Sequence, residues 1–197
     1  DANCAYRWYE AIQLAEKIEE YDPFWFEEPL PPDDYEGHKR IAEKTSIPIA
    51  TGESLHTKYE FAELLKHDVV HILQPEPLAC GGLWSCRNIC DMVDAHYGVV
   101  APHNAQGPIC TAICMQIAAC TPNHFIQEIF DEFNVEWEKD LLTGHHYEVV
   151  DGYIDVSHEP GLGIDLNIEE IQKHPYEAAN YLPLFRDGWE IRESTEG

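Results

Sequence analysis

The sequence predicts an α/β fold built from repeated βα units, in the form of the later part of a barrel. Short apolar runs alternate with segments of helical periodicity, which indicates parallel strands joined by crossover helices. Acidic residues or a histidine follow the apolar runs about every 25 residues, a spacing that suits one strand, one helix and two loops. The series consists of Asp1, Glu27, Glu53, Glu76, His103 and Glu128.

Each element follows from its own pattern. Apolar residues at helical spacing predict helices over residues 5–20, 35–44, 58–66, 83–96 and 109–119. The strands are expected over residues 24–26, 47–50, 69–74, 98–101 and 124–128, preceded by a strand of which only the end, Asp1, is present. Gly52 permits a tight bend after the strand expected over residues 47–50. The chain would thus hold the last six strands of a barrel, and two more would lie before residue 1.

The regular period stops after Phe130. We therefore divide the chain into a partial βα barrel, residues 1–130, and a C-terminal extension, residues 131–197. Two runs flank Asp151-Gly152 and predict a hairpin over residues 147–156, followed by a loop and a polar tail. A complete barrel has about 250 residues. A chain of 197 residues that opens on Asp is therefore expected to be the later part of a longer protein.

The charge balance excludes two classes of partner. The net charge is −25 and only 12 residues are Lys or Arg, so neither nucleic acid nor an anionic membrane surface is an expected partner. The longest apolar stretch, residues 109–119, is short and interrupted by Gln116, which argues against a membrane span. The acidity fits a repulsive, solvated surface or adaptation to a salty cytosol. We favour the first, because the excess is mostly Glu and seven cysteines remain.

The cysteines favour a reduced, cytoplasmic protein. Their number is odd, no C-x-x-C pair occurs, and Cys86/Cys90 and Cys110/Cys114 stand at helical i, i+4 spacing. This pattern is typical of small apolar residues on buried helix faces rather than of a zinc site.

Three carboxylates of the series are expected to converge at one mouth of the barrel. Asp1, Glu27 and Glu53 end three consecutive strands, and like charges held that close require a cation. An all-oxygen site suits Mg²⁺, which binds few carboxylates and keeps positions for water or substrate. Glu28 competes with Glu27, but the equal intervals favour Glu27 and leave Glu28 one position off that face.

A carboxylate and a histidine follow on the next two strands. His103 would lie across the mouth from the metal, and Glu76 would accept the N–H of its other ring nitrogen, which makes the imidazole more basic. A metal that faces a histidine base is the arrangement required to remove a proton next to a carboxylate. We therefore predict His103 as a catalytic base and Glu76 as its partner.

Two further residues are candidates for contact with a substrate. Glu128 either donates a hydrogen bond to the developing enediolate from a protonated carboxyl group or merely caps a loop. Asn3, two residues after Asp1 along a strand, is expected to point the same way as Asp1, toward a hydroxyl or carboxylate of the substrate.

Several short motifs occur in order along the chain. They are Asp1-x-Asn3, Phe26-Glu27-Glu28-Pro29, Gly52-Glu53, Gln74-Pro75-Glu76 with Gly81-Gly82, Pro102-His103-Asn104, Glu128 and Pro160-Gly161-Leu162-Gly163. In this order and at these intervals they resemble the mandelate racemase branch of the enolase superfamily, through about residue 166.

The resemblance implies a (β/α)₇β TIM-like barrel, with an N-terminal capping domain and first barrel strands that this sequence lacks. It also implies Asp1, Glu27 and Glu53 as Mg²⁺ ligands. His103 would be the base of a His–carboxylate dyad and Glu128 a substrate contact, in a proton-abstraction chemistry known for that superfamily.

Within this branch, residues 105–108 and 121–123 look most similar to acid-sugar dehydratases of the galactonate and gluconate type. The resemblance thus implies Mg²⁺-dependent dehydration of a small sugar acid to a 2-keto-3-deoxy acid, in a homo-oligomeric parent protein. Two positions depart from the pattern. Glu76 stands where Asp is usual, and Asn3 stands where some of these dehydratases have His.

Two alternatives stay open. Racemisation or epimerisation shares the enediolate but needs a second base across the substrate. In a different class, the chain is an inactive fragment or a non-catalytic barrel remnant, since an incomplete barrel leaves unpaired strand edges and an exposed apolar face.

Overall fold

The centre of the fold is a parallel sheet whose strands follow one another in chain order. The computed structural model describes residues 1–130, 133 and 135–178. The strands are β1 (Phe26–Glu27), β2 (Ile49–Thr51), β3 (Ile72–Leu73) and β4 (Val99–Val100). The helices before, between and after them are α1 (Trp8–Ile18), α2 (Tyr35–Ala42), α3 (Lys58–Lys66), α4 (Gly82–Ala95) and α5 (Pro108–Cys120). This alternation confirms the predicted α/β class and the position of every predicted helix.

The chain extends the sheet at both edges without forming further regular strands. On the β1 side, Ala2 N donates to Glu27 O at 2.9 Å. On the β4 side, His124 forms a parallel bridge with Val100, and Phe125 N donates to Val100 O at 2.8 Å. Neither the first nor the last of the six predicted strands forms as a regular strand. A turn follows Asp1 at the first position, and a single bridge at His124 occupies the last.

Prolines limit the length of three of the strands. The second residue past the end of β1, β3 and β4 is Pro29, Pro75 and Pro102 respectively. Proline has no backbone N–H and cannot continue a ladder. These prolines therefore limit how far the three strands can continue beyond their carboxyl ends.

The two faces of the sheet pack against different partners. Toward the helices, Leu73 and Val100 join Phe61, Ile89 and other buried residues of α3, α4 and α5 in one core cluster. A second cluster joins β1 and β2 to the buried faces of α1 and α2. On the opposite, concave face, small residues such as Ala50 lie with Ile72, Ala101 and the partly buried Trp25. The alternation of side chains along each strand separates these layers.

Local capping interactions position the helices. Asp34 precedes α2, and its side chain accepts a hydrogen bond from Gly37 N at 3.0 Å. Thr57 and Glu60 form a reciprocal capping box at the start of α3. Pro108 occupies the first turn of α5, where a missing N–H costs no helical hydrogen bond. The starts of these three helices thus follow from one or two residues of the sequence.

The apolar character of residues 24–26 predicts a fully buried strand, but this prediction is wrong. Phe24 is 61% exposed, and the strand begins only at Phe26. The ring of Phe24 instead stacks on Phe125, with 5.1 Å between the centroids and an interplanar angle of 14°. This pair links the lead-in to β1 with the segment beside β4.

The C-terminal extension is organised differently from the prediction. Its regular ladder is antiparallel, between β5 (Leu142–Gly144) and β6 (Ile164–Leu166), and a short helix, α6 (Ile168–Lys173), follows. The hairpin predicted over residues 147–156 is reduced to a single bridge, Val150 to Tyr153, around the expected Asp151-Gly152 turn. The physical reason lies in its flanks.

The flanks of that turn pack on α5 instead of pairing with each other. Tyr147 and Ile154 contact a buried cluster that includes Cys110 and Cys114. Tyr147 Oη also donates to Leu162 O at 2.8 Å. The extension therefore covers one side of α5.

The division at residue 130 remains a prediction. The polar tail is predicted over residues 175–197, of which residues 179–197 lie outside the described residues. Within the described part of the chain, none of the helices has both the length and the apolar character needed to cross a membrane.

Core packing in α3 gives a direct test of the fold. Phe61 is fully buried, whereas Tyr59 in the same helix is 74% exposed. We expect Phe61→Ala to lower the free energy of unfolding by about 3–5 kcal/mol, and Tyr59→Ala to change it by less than about 0.5 kcal/mol. Urea unfolding followed by tryptophan fluorescence measures both. Equal losses in the two variants would contradict the assignment of this core.

Candidate active site

His103 lies among three carboxylates just past the end of β4. Its Nδ1–H donates to Glu76 Oε2 at 2.7 Å, and its Nε2–H donates to Glu53 Oε2 at 2.9 Å. Glu128 Oε2 lies 3.8 Å from the same Nε2. The structure thus brings together Glu53, Glu76, His103 and Glu128, four members of the predicted series.

The carboxylates control the charge of this imidazole. Burial lowers the pKa of His103, but the hydrogen bonds to Glu53 and Glu76 and the negative charges of Glu53 and Glu128 outweigh burial and raise the pKa to about 10. In this arrangement His103 is an imidazolium near neutral pH, so both ring nitrogens donate.

Glu76 is held from both sides. Its carboxylate is buried, with one oxygen on His103 and the other, Oε1, accepting from Cys110 Sγ at 3.6 Å. Glu is one methylene longer than the Asp usual at this position of the family motif, yet the carboxylate still makes a short hydrogen bond to the ring. Cys110, which sequence reasoning treated only as a packing residue, is therefore a direct neighbour of the pair.

Glu128 is tied to the loop that carries His103. Its Oε2 accepts from Asn104 N at 2.8 Å, and its backbone oxygen accepts from Asn104 Nδ2 at 3.2 Å. Gln127 Nε2 donates to Pro102 O at 2.9 Å. Asn104 was identified in the sequence only as part of the motif Pro102-His103-Asn104, and Gln127 was not identified, although both are adjacent to predicted site residues.

The segment around Asp1 is a turn, not a strand end. Asp1 Oδ1 accepts from Asn3 N at 2.7 Å, and Asn3 and Cys4 have φ of 45° and 59°. The alternation of a strand therefore does not apply, and the expectation that Asn3 points the same way as Asp1 on that basis is wrong. A substrate contact by Asn3 remains a prediction.

The predicted metal ligands have separate partners in this structure. Glu27 Oε2 accepts from Trp25 Nε1 at 2.7 Å, Glu53 contacts His103, and Asp1 contacts Asn3 N. In the described ranges, no group of three or more His, Cys, Asp or Glu residues is arranged to hold a metal ion. The three side chains are thus not gathered around one point, and their assignment as ligands remains a prediction.

The backbone around these carboxylates is closely packed. Gly52, next to Glu53, has φ of 146°, and a Cβ there would lie 2.8 Å from Gln74 N. The chain therefore requires glycine at the bend that precedes Glu53, as the sequence predicted. Glu28 has φ of 39°, a left-handed conformation that costs a residue other than glycine about 1–3 kcal/mol.

Glu28 is not the peripheral neighbour that the residue spacing predicted. It is 1% exposed, and its carboxylate accepts hydrogen bonds from Thr51, Ser54 and Cys4. Burial, then the hydrogen bond and negative charge of Glu28, raise the pKa of the Cys4 thiol to about 12. Cys4 therefore stays protonated and acts as a donor.

The fold and the motifs have counterparts among known proteins. The family of enolase C-terminal domain-like proteins matches residues 1–171, and the chain belongs to this family. This domain is part of a TIM barrel, which confirms the predicted partial barrel.

Relatives and solved structures agree with this assignment. The chain is 33% identical to the D-xylonate dehydratase of Haloferax volcanii over 167 residues, 85% of this chain and 40% of that protein. It is 30% identical to the D-gluconate dehydratase of Thermoproteus tenax, across 92% of this chain and 36% of that protein. A mandelate racemase/muconate lactonizing enzyme from Jannaschia sp. CCS1 superposes with a TM-score of 0.83 at 36% identity, covering 90% of this chain and 45% of that one. The chain thus spans less than half the length of these proteins.

His103 makes the stability of the metal-free protein depend on pH. The folded-state pKa is raised to about 10 from an ordinary value of 6.5. Its contribution to stability is therefore fully present below the ordinary pKa and lost as the pH rises through the folded-state pKa. In EDTA, we expect the urea midpoint of the wild type to exceed that of His103→Gln at pH 6, and the difference to shrink by pH 10.

The exposed His158 provides the control for this measurement. His158→Gln should follow the wild type at every pH. A wild-type advantage over His103→Gln that is constant from pH 6 to 10 would contradict the charged state assigned to His103.

Proposed function

We propose that the protein carrying this chain is a dehydratase that acts on a sugar acid, an aldonate or aldarate. The observation that carries the proposal is the position of His103, past a strand end of the family barrel and bonded to Glu76. The names of the relatives, a D-xylonate dehydratase and a D-gluconate dehydratase, support the same reaction class. The product would be a 2-keto-3-deoxy acid.

His103 is the proposed base. Glu76 keeps a proton on Nδ1, so Nε2 is the nitrogen that faces the other carboxylates and takes the proton α to the substrate carboxylate. For this step Nε2 must be free of its own proton, and the bond to Glu53 must open. The resulting imidazolium then gives the same proton to the β-hydroxyl, which leaves as water. The enol that remains becomes the 2-keto acid by moving its hydroxyl proton to solvent and accepting one at carbon 3.

The residues present fit a divalent cation by their donor chemistry. Asp1, Glu27 and Glu53 offer only oxygen atoms, which Mg²⁺ prefers, and the hydrogen bond from Ala2 N to Glu27 O keeps two of the segments side by side. Bound there, Mg²⁺ would supply positive charge against the second negative charge that develops on the substrate. Ligation by these three side chains would replace their present contacts.

The substrate would meet two more side chains. Glu128 is 37% exposed in its side chain and lies on the Nε2 side of His103, so it is placed to hydrogen-bond a substrate oxygen. Asn3 is exposed, and its amide would contact a hydroxyl or carboxylate of the substrate.

Racemisation or epimerisation is the second candidate. The similarity to a mandelate racemase/muconate lactonizing enzyme favours it, because both reactions begin with the same proton abstraction. Exchange of the α-proton with solvent deuterium, without loss of water, would distinguish it from dehydration.

Activity on a panel of acids tests the proposal. We expect one or more aldonic or aldaric acids to yield a 2-keto acid, detected colorimetrically, when the purified protein is incubated with Mg²⁺. His103→Asn should lower kcat by about 10²–10⁴-fold, the usual contribution of a general base, and His158→Asn should not. Full activity in His103→Asn would contradict the assignment of His103 as the base. A wild-type protein that is inactive toward the whole panel would favour the alternative that the chain is an inactive fragment or a non-catalytic barrel remnant.

Removal of the cation tests the ligand set. We expect EDTA to abolish dehydration and added Mg²⁺ to restore it. Glu53→Gln should weaken direct binding of Mn²⁺, a spectroscopic substitute for Mg²⁺, because an amide is a weaker ligand than a carboxylate. Exposed Glu177 provides the matched control, Glu177→Gln, which should bind Mn²⁺ as the wild type does. Mn²⁺ binding unchanged in Glu53→Gln would exclude this carboxylate from the site.

A further inference from the structure

A single buried carboxylate connects the three chain segments that carry the proposed metal ligands. Glu28 directly follows Glu27, and its side chain is 1% exposed. It reaches the segment after β2 and the turn after Asp1, so it contacts the surroundings of both remaining carboxylates.

The contacts to the β2 segment flank Glu53. Thr51 Oγ1, two residues before Glu53, donates to Glu28 Oε1 at 3.2 Å. Ser54 Oγ, the residue after Glu53, donates to Glu28 Oε2 at 3.0 Å. The backbone adds to this pairing, since Glu28 N donates to Ala50 O at 2.9 Å. Glu53 is therefore carried by a bend whose two sides are tied to one carboxylate.

The contacts to the first segment close the turn after Asp1. Cys4 Sγ donates to Glu28 Oε2 at 3.0 Å, and Cys4 N donates to Glu28 O at 2.8 Å. These bonds hold Asn3 and Cys4 in their left-handed conformations. Cys4 Sγ also lies 4.0 Å from Ser54 Oγ, so the same thiol contacts the segment after β2.

The chemistry of these contacts favours a carboxylate over any other side chain. An ionised carboxylate only accepts hydrogen bonds and can serve several donors at once, and all three partners here donate. A glutamine would present an N–H group to at least one donor. A buried carboxylate without such partners would be strongly unfavourable, so the donors and Glu28 depend on one another.

We propose that Glu28 is a positioning residue of the active site: its carboxylate fixes the segments of Asp1 and Glu53 against Glu27, and so sets the separation of the three carboxylates that would hold the cation. This rests on the proposed function, because it assigns Glu28 a role toward the same ligand set. Glu28 itself contacts neither substrate nor cation in this role.

Cation affinity, measured apart from catalysis, tests the proposal. Mn²⁺ is titrated into the purified protein, and the free ion is followed by electron paramagnetic resonance. Loss of a residue that orients metal ligands typically weakens affinity about 10–100-fold, and we expect an increase of this size in the Kd of Glu28→Gln. Thr51→Val and Ser54→Ala should raise the Kd less, each by removing one donor. The Glu28→Gln/Ser54→Ala double variant should raise it by less than the product of the single effects, because both changes remove one shared contact.

Glu60→Gln is the matched control. The Glu60 carboxylate also accepts three hydrogen bonds, from His56 N, Thr57 N and Thr57 Oγ1, but it caps α3. This variant should lower the urea midpoint and leave the Kd for Mn²⁺ unchanged.

The outcomes separate the two proposals. A wild type that binds no Mn²⁺ would overturn the proposed metal-dependent function. If the wild type binds and folded Glu28→Gln binds equally well, the positioning role is wrong while the function stands. Should Glu28→Gln fail to fold, Thr51→Val and Ser54→Ala decide the matter, and an unchanged Kd in both would overturn the role of Glu28.

Discussion

The strands β1, β2, β3 and β4 pair in parallel with their neighbours, with Phe26 beside Ile49 and Ile72 beside Val99. This parallel pairing directs the carboxyl end of every strand to the same edge of the sheet. Side chains inside the strands are committed to the helical layers or to the concave face. The polar groups of the site therefore lie at the strand ends, as Glu27 and Thr51 do, or just beyond them, as His103 does. Two of the prolines that end the ladder, Pro75 and Pro102, directly precede Glu76 and His103. The first residue after each of these prolines is therefore already a residue of the site.

The site carries its own positive charge in a chain that is otherwise strongly acidic. With 37 Asp and Glu against 12 Lys and Arg, few basic side chains are available to offset clustered carboxylates. His103 does so for Glu53 and Glu76 through two short hydrogen bonds. Glu28 solves the same problem with neutral donors from Thr51, Ser54 and Cys4. Neighbouring acids are thus stabilised by two different physical means.

The backbone positions of this site could be predicted from the sequence, but the orientation of its side chains could not. The periodic placement of acids and His103 predicted which strand ends would meet, because topology constrains position. It did not predict that Glu53 bonds His103 while Glu27 bonds Trp25, since side-chain direction depends on the local bend. Glu28 was misjudged for the same reason: spacing along the chain reveals nothing about the three donors that surround it.

The extension shows a second limit of sequence patterns. The Asp151-Gly152 turn was predicted because its conformation is local, and both residues have positive φ, of 51° and 80°. The ladder around it failed because Tyr147 and Ile154 pack on α5, a contact with residues more than thirty positions away in the sequence. Whether the two flanks pair with each other or pack on α5 therefore depends on contacts that only the folded chain provides.

The stacked rings of Phe24 and Phe125 have a consequence for the order of folding. About a hundred residues separate them in the sequence, and the entropy lost in closing a loop grows with its length. Neighbouring βα units close much shorter loops and are expected to assemble earlier. Contact between the two rings would then form late, when the curvature of the sheet is established. This kinetic role follows from the distance between the rings along the chain rather than from the strength of their contact.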